Sequence, residues 1–396
     1  MHIVHVEDFF HPDAGYQTNI LCKYMALAGH QVTIVTSEVD KTPPEFMSFF
    51  GATNINERDR IYSEETGTRI LRLPSLGVLS GRAVFKGSIV KKVESLHPDV
   101  IFVHGNDTLT GIRFLLRYKN HPFPIVLDSH MLEMASVNPL SWMFHLFYKR
   151  FVAPIIIDNR ITVIRTQDDD YVQKCLGIPL AQCPWISVGT DTLLFHPQSE
   201  IREQFRRQHN ISQDAFVVVY TGKLTDSKGG LLLAEAFKEK FNTKKEVVLL
   251  VVGESAQGEY GHQVETLFQK SFNKVIRFPT QRYRDLPPFY QAADLSIFPK
   301  QCSLSFYDAQ ACALPVLAED NKVNVKRLQY SNGACFFSND PDDIRNHVVS
   351  YCELSPLEFA NIGQNALHTI QAAYDYQQLV VRYLNEIQEQ LNQYGK

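Results

Sequence analysis

Apolar positions along the 396-residue chain fall into short unbroken runs separated by stretches of helical spacing, and the alternation recurs from one end to the other. Residues 2–6 are such a run. A loop over 7–15, a helix over 16–28 ended by Gly29-His30, and the strand 31–36 (QVTIVT) complete a βαβ unit. That unit implies parallel strands with a right-handed crossover. Residues 41–67 are polar and irregular and read as a long loop or inserted turns. Strands at 69–73, 100–103, 125–128, 161–164 and 185–188 then alternate with helices around 87–96, 109–118, 140–151 and 168–175. The alternation specifies a doubly wound sheet ending near residue 190.

Residues 189–213 are polar, contain Pro197, and read as a linker plus a first helix. A second series starts at Phe216, with strands at 246–252, 274–278, 295–298 and 315–318 and helices around 263–270, 286–292 and from 307. Beyond Pro341 the chain is helical, and the last helix (374–393) is apolar at Leu379, Val380, Tyr383, Leu384 and Ile387. The fold class is therefore α/β, two tandem Rossmann-like domains, with a ligand cleft expected between them at the carboxyl ends of the strands.

Composition narrows the function. A length of 396 residues suits two domains, and 44% apolar with 21% charged residues suits large cores in a soluble protein. The net charge of −4 weighs against a general nucleic-acid binder, so no nucleic acid is expected as a partner. The 7 cysteines are scattered without a CxxC pair, which points to free thiols in a reducing compartment and to no metal site. The chain opens on a strand rather than a signal layout, and no apolar run reaches the roughly 18 residues of a bilayer span. A cytoplasmic protein is expected, at most resting on a membrane surface. Neither GxGxxG after the first strand nor GxxxxGK[ST] is present, so dinucleotide-oxidoreductase and P-loop chemistry are disfavoured.

The stretch 217–238, VVVYTGKLTDSKGGLLLAEAFK, carries the candidate chemistry. A strand breaks at Gly222, Lys223 and Lys228 share one loop, and Gly229-Gly230 lead into a helix. Lysines and helix N-terminal amides converging there would make an anion site. The plain alternative is a βα turn with two solvated lysines. Elsewhere, His104-Gly105-Asn106-Asp107 ends a strand and reads equally as an Asx turn capping the next helix. Asp168-Asp169-Asp170 reads as helix capping. In the helix over 140–151, Leu140, Met143, Phe144, Phe147 and Phe151 share a stripe that reads as a core face. The competing reading of that basic, Trp142-bearing helix is a contact with an anionic leaflet.

Five segments in order resemble the retaining glycosyltransferases of family 4, which have two Rossmann-like domains, the GT-B fold. FFHPDAGYQTNILCKYMALAGHQVTIVTS is similar to that family's first loop, helix and strand, with Gly15 at the glycine facing the donor diphosphate. ITVIRTQDDDYVQKCLGIP followed by ISVGTDTLLFHP resembles the end of the first domain and its linker. YTGKLTDSKGG resembles the basic donor loop, with Lys223 at the family's arginine and Lys228 at its lysine. VIRFPTQRYRDLPPFYQAADLSIFP resembles the segment beneath the donor base. In KQCSLSFYDAQACALPVLAED, Lys300 and Asp308 fall where the family has two glutamates.

The resemblance implies domains over 1–190 and 191–372, with a C-terminal helix (373–396) crossing back to the first. It implies transfer of a sugar, with retention, from a UDP- or GDP-sugar to a saccharide or lipid-linked acceptor. Surface polysaccharide or glycoconjugate synthesis is the expected setting, at most peripheral at the inner face of the membrane. No cofactor or metal is implied, because lysines take the diphosphate. The implied catalytic residues are His130, Lys223, Lys228 and Asp308. Gly15, Gly222, Gly229, Glu133, Lys300, Ser303 and Leu304 are the implied donor or substrate contacts. His130 follows the strand 125–128 at the position of a family histidine near the donor sugar. Lys300 departs from the pattern, since an ammonium only donates hydrogen bonds. Either the sugar carries an acceptor or acid group, or it is held otherwise, or the site is impaired. The last case would leave a GT-B-like binding or chaperone subunit. A GT-B sugar-nucleotide epimerase is the competing enzyme class.

Overall fold

The unbroken apolar runs form parallel strands buried on both faces, the environment that β-branched and aromatic runs suit. The structure is a computed structural model describing residues 1–39, 42, 51, 53–119, 122–131 and 141–394. It divides into two compact units, Met1–Val188 with Tyr376–Lys396, and Gly189–Asp375.

The first unit contains β1 (His2–Val6), β2 (Gln31–Ser37), β3 (Arg69–Leu73), β4 (Ser75–Leu79), β5 (Arg82–Phe85), β6 (Val100–Val103), β7 (Ile125–Ser129) and β8 (Val163–Arg165). Six of these form one parallel sheet in the order β3-β2-β1-β6-β7-β8, while β4 and β5 pair as an antiparallel hairpin. The C-terminal helix Tyr376–Tyr394 packs in this unit against the helix Gln17–Leu27 and against β7. Its buried stripe is Tyr376, Leu379, Val380, Tyr383, Ile387 and Gln390, a helical period. Gln390 is polar within that stripe because its Oε1 accepts the buried Thr162 N–H at 2.7 Å.

Three expectations are corrected in this unit. Part of the stretch read as irregular, Ile55–Thr66, is a helix ended by Gly67 at φ +74°. It buries only Tyr62, so it offers no apolar period to detect. Residues 185–188 form no strand, only an isolated bridge from Trp185 to Arg165. The helix near 140–151 is Ser141–Phe147 continued by a π-helical turn, Tyr148–Val152, and Leu140 lies outside the described residues. Its inward line is Phe144, Tyr148 and Val152, and the expected core residues Met143, Phe147 and Phe151 are exposed together with Trp142 and Leu146. Tyr148 is the anchor, because its hydroxyl accepts from Asn106 Nδ2 at 3.1 Å. Among the described residues no helix is long and apolar enough to cross a membrane.

The second unit repeats the plan with β9 (Phe216–Thr221), β10 (Val247–Val252), β11 (Lys274–Phe278), β12 (Leu295–Phe298), β13 (Val316–Glu319) and β14 (Gly333–Phe336), in the order β11-β10-β9-β12-β13-β14. Setting the hairpin aside, both sheets read 3-2-1-4-5-6, the doubly wound order. The linker helix Ser199–Gln208 is pinned by Arg206, which is fully buried. Arg206 donates to Asp294 Oδ2 at 2.8 Å and to the carbonyls of Ala292, Gln213 and Ala215.

Candidate functional site

Strand order reverses beside β1 in the first sheet and beside β9 in the second. Loops leaving the carboxyl ends at such switch points form the binding crevice of open α/β sheets. In the second unit these loops are 222–229 after β9 and 299–304 after β12.

Close backbone approach explains the glycines there. A Cβ on Gly229, at φ +75°, would lie 2.8 Å from Pro299 Cβ and 3.1 Å from Lys300 Cγ. Glycine therefore lets the two loops touch. Gly222, at φ +144°, sits against the neighbouring turn, where a Cβ on Gly253 would lie 2.0 Å from Gly222 O. Lys228 is half-buried, and its Nζ is 3.5 Å from Cys302 O. Burial lowers the pKa of its ammonium, with the Cys302 thiol opposing in a smaller degree. Lys300 Nζ lies 3.9 Å from the exposed Asp226 Oδ1. Lys223 is half-buried, and its carbonyl accepts the Tyr220 hydroxyl at 2.6 Å. Ser303 Oγ accepts the Ser305 N–H at 3.3 Å, and Leu304 is the N-cap of the helix Ser305–Ala311. The structure thus brings Gly222, Lys223, Lys228, Gly229, Lys300, Ser303 and Leu304 to one switch point. Two ammoniums on touching loops can hold an anion, each as a point charge.

Three of the amides expected to be free at the start of the helix Gly230–Ala236 are already bonded. Gly229 N–H donates to Asp226 O, Gly230 N–H to Thr225 O, and Leu231 N–H to the Tyr260 hydroxyl at 3.0 Å. The lysines supply the formal positive charge of these loops. Asp308 also differs from the expected open carboxylate. It is 3% exposed, and Oδ1 accepts from Thr190 Oγ1 at 2.6 Å and from the Tyr283 hydroxyl at 3.0 Å. Desolvation raises its carboxyl to about 7, the Asp191 charge adding to the effect and the two hydrogen bonds opposing it.

In the first unit the switch-point loops are 7–16 after β1 and 104–108 after β6. Gly15 is half-buried and immediately precedes Tyr16, the N-cap of Gln17–Leu27. His130 follows β7, with its side chain 36% exposed. Behind it runs a polar chain. His130 Nε2 lies 3.1 Å from Asp128 Oδ1, and Asp128 Oδ2 lies 2.7 Å from His104 Nδ1. His104 Nε2 is 3.0 Å from His5 Nδ1, and His5 Nε2 is 3.2 Å from Met25 Sδ. Gly105 N–H donates to Asp128 Oδ1 at 2.8 Å. Gln17 Nε2 donates to the Tyr383 hydroxyl at 2.9 Å and reaches Asp128 Oδ2 at 3.4 Å. Burial works to raise Asp128, but the charges of His130 and His104 and their hydrogen bonds outweigh it and hold the carboxyl below its ordinary range. Burial likewise works to lower His130, and Asp128 outweighs it, leaving the imidazolium favoured.

Glu133 lies outside the described residues. The helix cap after β6 is not an Asx turn. Thr108 Oγ1 takes the Gly111 N–H at 2.9 Å, and Asp107 accepts the Tyr171 hydroxyl instead. The sequence reading missed Asp128, Thr190 and Tyr283, and it weighed the His104 segment at least as much as a turn as a functional site. One signal was present: His5 and Asp128 interrupt apolar strand runs, HIVHV and IVLDS, where a buried polar group needs a partner. His104, Asp128 and His130 are the trio of possible metal ligands that comes together among the described residues. Both ring nitrogens of His104 lie within hydrogen-bonding distance of protein atoms, His5 Nδ1 and Asp128 Oδ2.

Two doubly wound sheets with ligand loops at their switch points, one of them carrying two lysines in one loop, are the arrangement of the GT-B fold. Residues 201–368 match the family model described as Glycosyl transferases group 1. The chain is 31% identical over 138 residues to the lipopolysaccharide 1,2-N-acetylglucosaminetransferase of Salmonella typhimurium, covering 32% of this chain and 35% of that protein. It is 27% identical over 251 residues to the D-inositol 3-phosphate glycosyltransferase of Corynebacterium aurimucosum, covering 60% and 59%. The chain therefore spans less than two thirds of the length of these relatives. Anabaena HepE, solved in complex with UDP and glucose, superposes with a TM-score of 0.72 at 16% identity, covering 98% of this chain and 100% of that one. The two Rossmann-like domains expected from sequence are thus the GT-B fold.

Proposed function

We propose that the chain is a glycosyltransferase of the family-4 type. It moves a sugar, with retention, from a UDP- or GDP-sugar to a saccharide or lipid-linked acceptor in surface polysaccharide or glycoconjugate synthesis. The observation that carries this reading is the contact of the two switch-point loops of the second unit, which puts Lys228 and Lys300 on touching loops within the matched family segment. Breaking the bond from sugar to diphosphate leaves negative charge on the departing phosphate while an oxocarbenium-like centre forms. Cations fixed in advance lower that barrier. Lys228, already partly desolvated, loses less hydration on meeting a phosphate than a fully solvated lysine would. Lys223 and Lys228 take the diphosphate, Lys300 takes an acceptor oxygen of the donor, and no metal is needed. His130 and Gly15 are the candidate residues of the first unit, and no nucleophile is assigned.

The setting in this reading is cytoplasmic, with peripheral contact at the inner membrane face. Its support is the helix through 141–152, which exposes Trp142, Met143, Leu146, Phe147 and Phe151 beside the cations Lys149 and Arg150. Apolar bulk flanked by basic residues complements an anionic lipid surface. A second reading, a donor-binding subunit without turnover, is favoured by one observation: Asp308, which would hold the donor as a carboxylate, is engaged internally.

The test is a panel of UDP- and GDP-sugars with sugar release as the readout, alongside nucleotide-induced stabilisation. A ligand at 100 times its Kd stabilises by about 2.7 kcal/mol. Lys228→Ala should abolish both release and stabilisation while leaving the circular dichroism spectrum unchanged. Stabilisation without release selects the binding-subunit reading, and neither signal in the wild type refutes both.

A further inference from the structure

The buried chain behind His130 has a consequence that the anion loops do not supply. Thr166 Oγ1 lies 3.2 Å from His130 Nδ1, and its hydroxyl donates to Ser129 O at 3.0 Å. A hydroxyl has one hydrogen, so both contacts are hydrogen bonds together only if His130 Nδ1 donates. On the other side of the ring, Nε2 faces Asp128 Oδ1, which accepts. Asp128 is fully buried yet ringed by donors: Gly105 N–H, His104 Nδ1 and, at longer range, Gln17 Nε2. A carboxylate so supplied stays ionised.

We infer that Asp128 is a positioning residue that fixes His130 as a doubly protonated imidazolium, whose Nδ1–H is offered to an oxygen of the donor sugar or its phosphate with Thr166 as the resting acceptor. The inference deepens the proposed transfer site and rests on that reading for the ligand, but not for the protonation state. The charged groups facing His130 are Asp128 and Glu7, which favour its charge, and Arg82 from β5, which opposes it. The His104 ring stacks 6.3 Å away and bonds the far carboxylate oxygen. His5 closes the inner end: burial first, then the neighbouring His104, lower its pKa well below the ordinary value, so it stays neutral in the core.

The carboxylate matters because an amide cannot replace it. In Asp128→Asn one of the two histidines must face an N–H donor, so the network loses a proton. Removing an opposite charge at this range shifts a histidine by about 1–3 pH units. The experiment is a nitrogen-15 histidine NMR titration of the wild type, with the His130 signal identified by its absence in His130→Gln. Both His130 nitrogens should be protonated at pH 7, and Asp128→Asn should move the titration to lower pH. Thr166→Val, which leaves the carboxylate in place, should keep it near the wild-type value. Where a transferred donor is found, the alkaline limb of kcat/KM should follow the same shift. A wild-type His130 titrating at or below 6.5, or carrying one bare nitrogen at pH 7, overturns the inference, and that result needs no variant to fold. An NMR result as expected with no donor turned over leaves the positioning of His130 by Asp128 standing and removes the transferase reading with its ligand.

Discussion

Asp308 separates a structural carboxyl from a ligand-binding one. Its carboxyl is raised from 3.8 to about 7, with desolvation the main cause. Folding therefore takes up a proton between those values. The contribution to stability is complete below about pH 4 and is lost as pH rises through about 7. About three units at 1.36 kcal/mol each puts the full swing at no more than about 4 kcal/mol. Asparagine keeps an oxygen for Thr190 Oγ1 and the Tyr283 hydroxyl but cannot ionise. Asp308→Asn should therefore match the wild type near pH 4, exceed it by about 1–2 kcal/mol at pH 5 and by about 4 kcal/mol at pH 8.5, with the difference growing between about pH 4 and 7. Urea unfolding at pH 5, 7 and 8.5 reads this from the midpoints at constant slope. A difference that does not change with pH, or a variant less stable at pH 8.5, refutes the assignment. The same variant reports on ribose binding. If the carboxylate met the donor, UDP would stabilise the variant less than the wild type. If Asp308 only ties Thr190 and Tyr283 to its helix, the UDP-induced rise in Tm is unchanged.

Gly229→Ala places a Cβ 2.8 Å from Pro299 Cβ on a backbone at φ +75°. It should cost about 1–3 kcal/mol and weaken nucleotide-induced stabilisation, and an unchanged urea midpoint would argue against loop contact. Arg206→Ala strips a fully buried guanidinium from Asp294. Arg202 still pairs with that carboxylate at 2.5 Å, so a loss of about 3 kcal/mol is expected, the lower end for a broken buried pair. A loss under about 1 kcal/mol would show that the buried contacts relax without it. The pair Leu146→Glu and Phe147→Glu should abolish co-sedimentation with vesicles containing phosphatidylglycerol, and the wild type should ignore purely zwitterionic vesicles. Equal binding by variant and wild type would remove that helix as the contact.

The parallel sheets were legible because their strands are buried on both faces. VVVYT at β9 and VVLLVV at β10 leave no alternation to misread, and the intervening helices carry their own period. Elements whose stabilisation lies outside their own pattern were not legible. The helix Ile55–Thr66 buries one side chain, Tyr62, whose hydroxyl reaches Asn19 O at 2.7 Å. The helix from Ser141 is oriented by a tyrosine that must satisfy its hydroxyl on Asn106, so its largest apolar residues end up outside. Period counting gives every apolar residue equal weight. One buried polar bond can outweigh several of them, because an unpaired buried donor or acceptor costs about 1–3 kcal/mol.

The same asymmetry governs the candidate site. Lys223, Lys228, Gly222 and Gly229 could be read from one stretch because a loop between a strand and the next helix keeps its residues together in space. The partners that set protonation come from distant positions: Thr190 is 118 residues from Asp308, and His5 is 99 from His104. No local spacing encodes such pairs. They exist because the parallel sheet lays β1, β6 and β7 side by side, bringing the loops after β1 and β6 and the last residues of β7 to one edge. A histidine within an apolar strand and an aspartate near the end of another therefore carry more information than either would in a loop. Each must find a partner on an adjacent strand or connection, and the topology, once derived, names where to look. His5 points to the connection after β6, where His104 stands, and Asp128 points to that histidine and to His130.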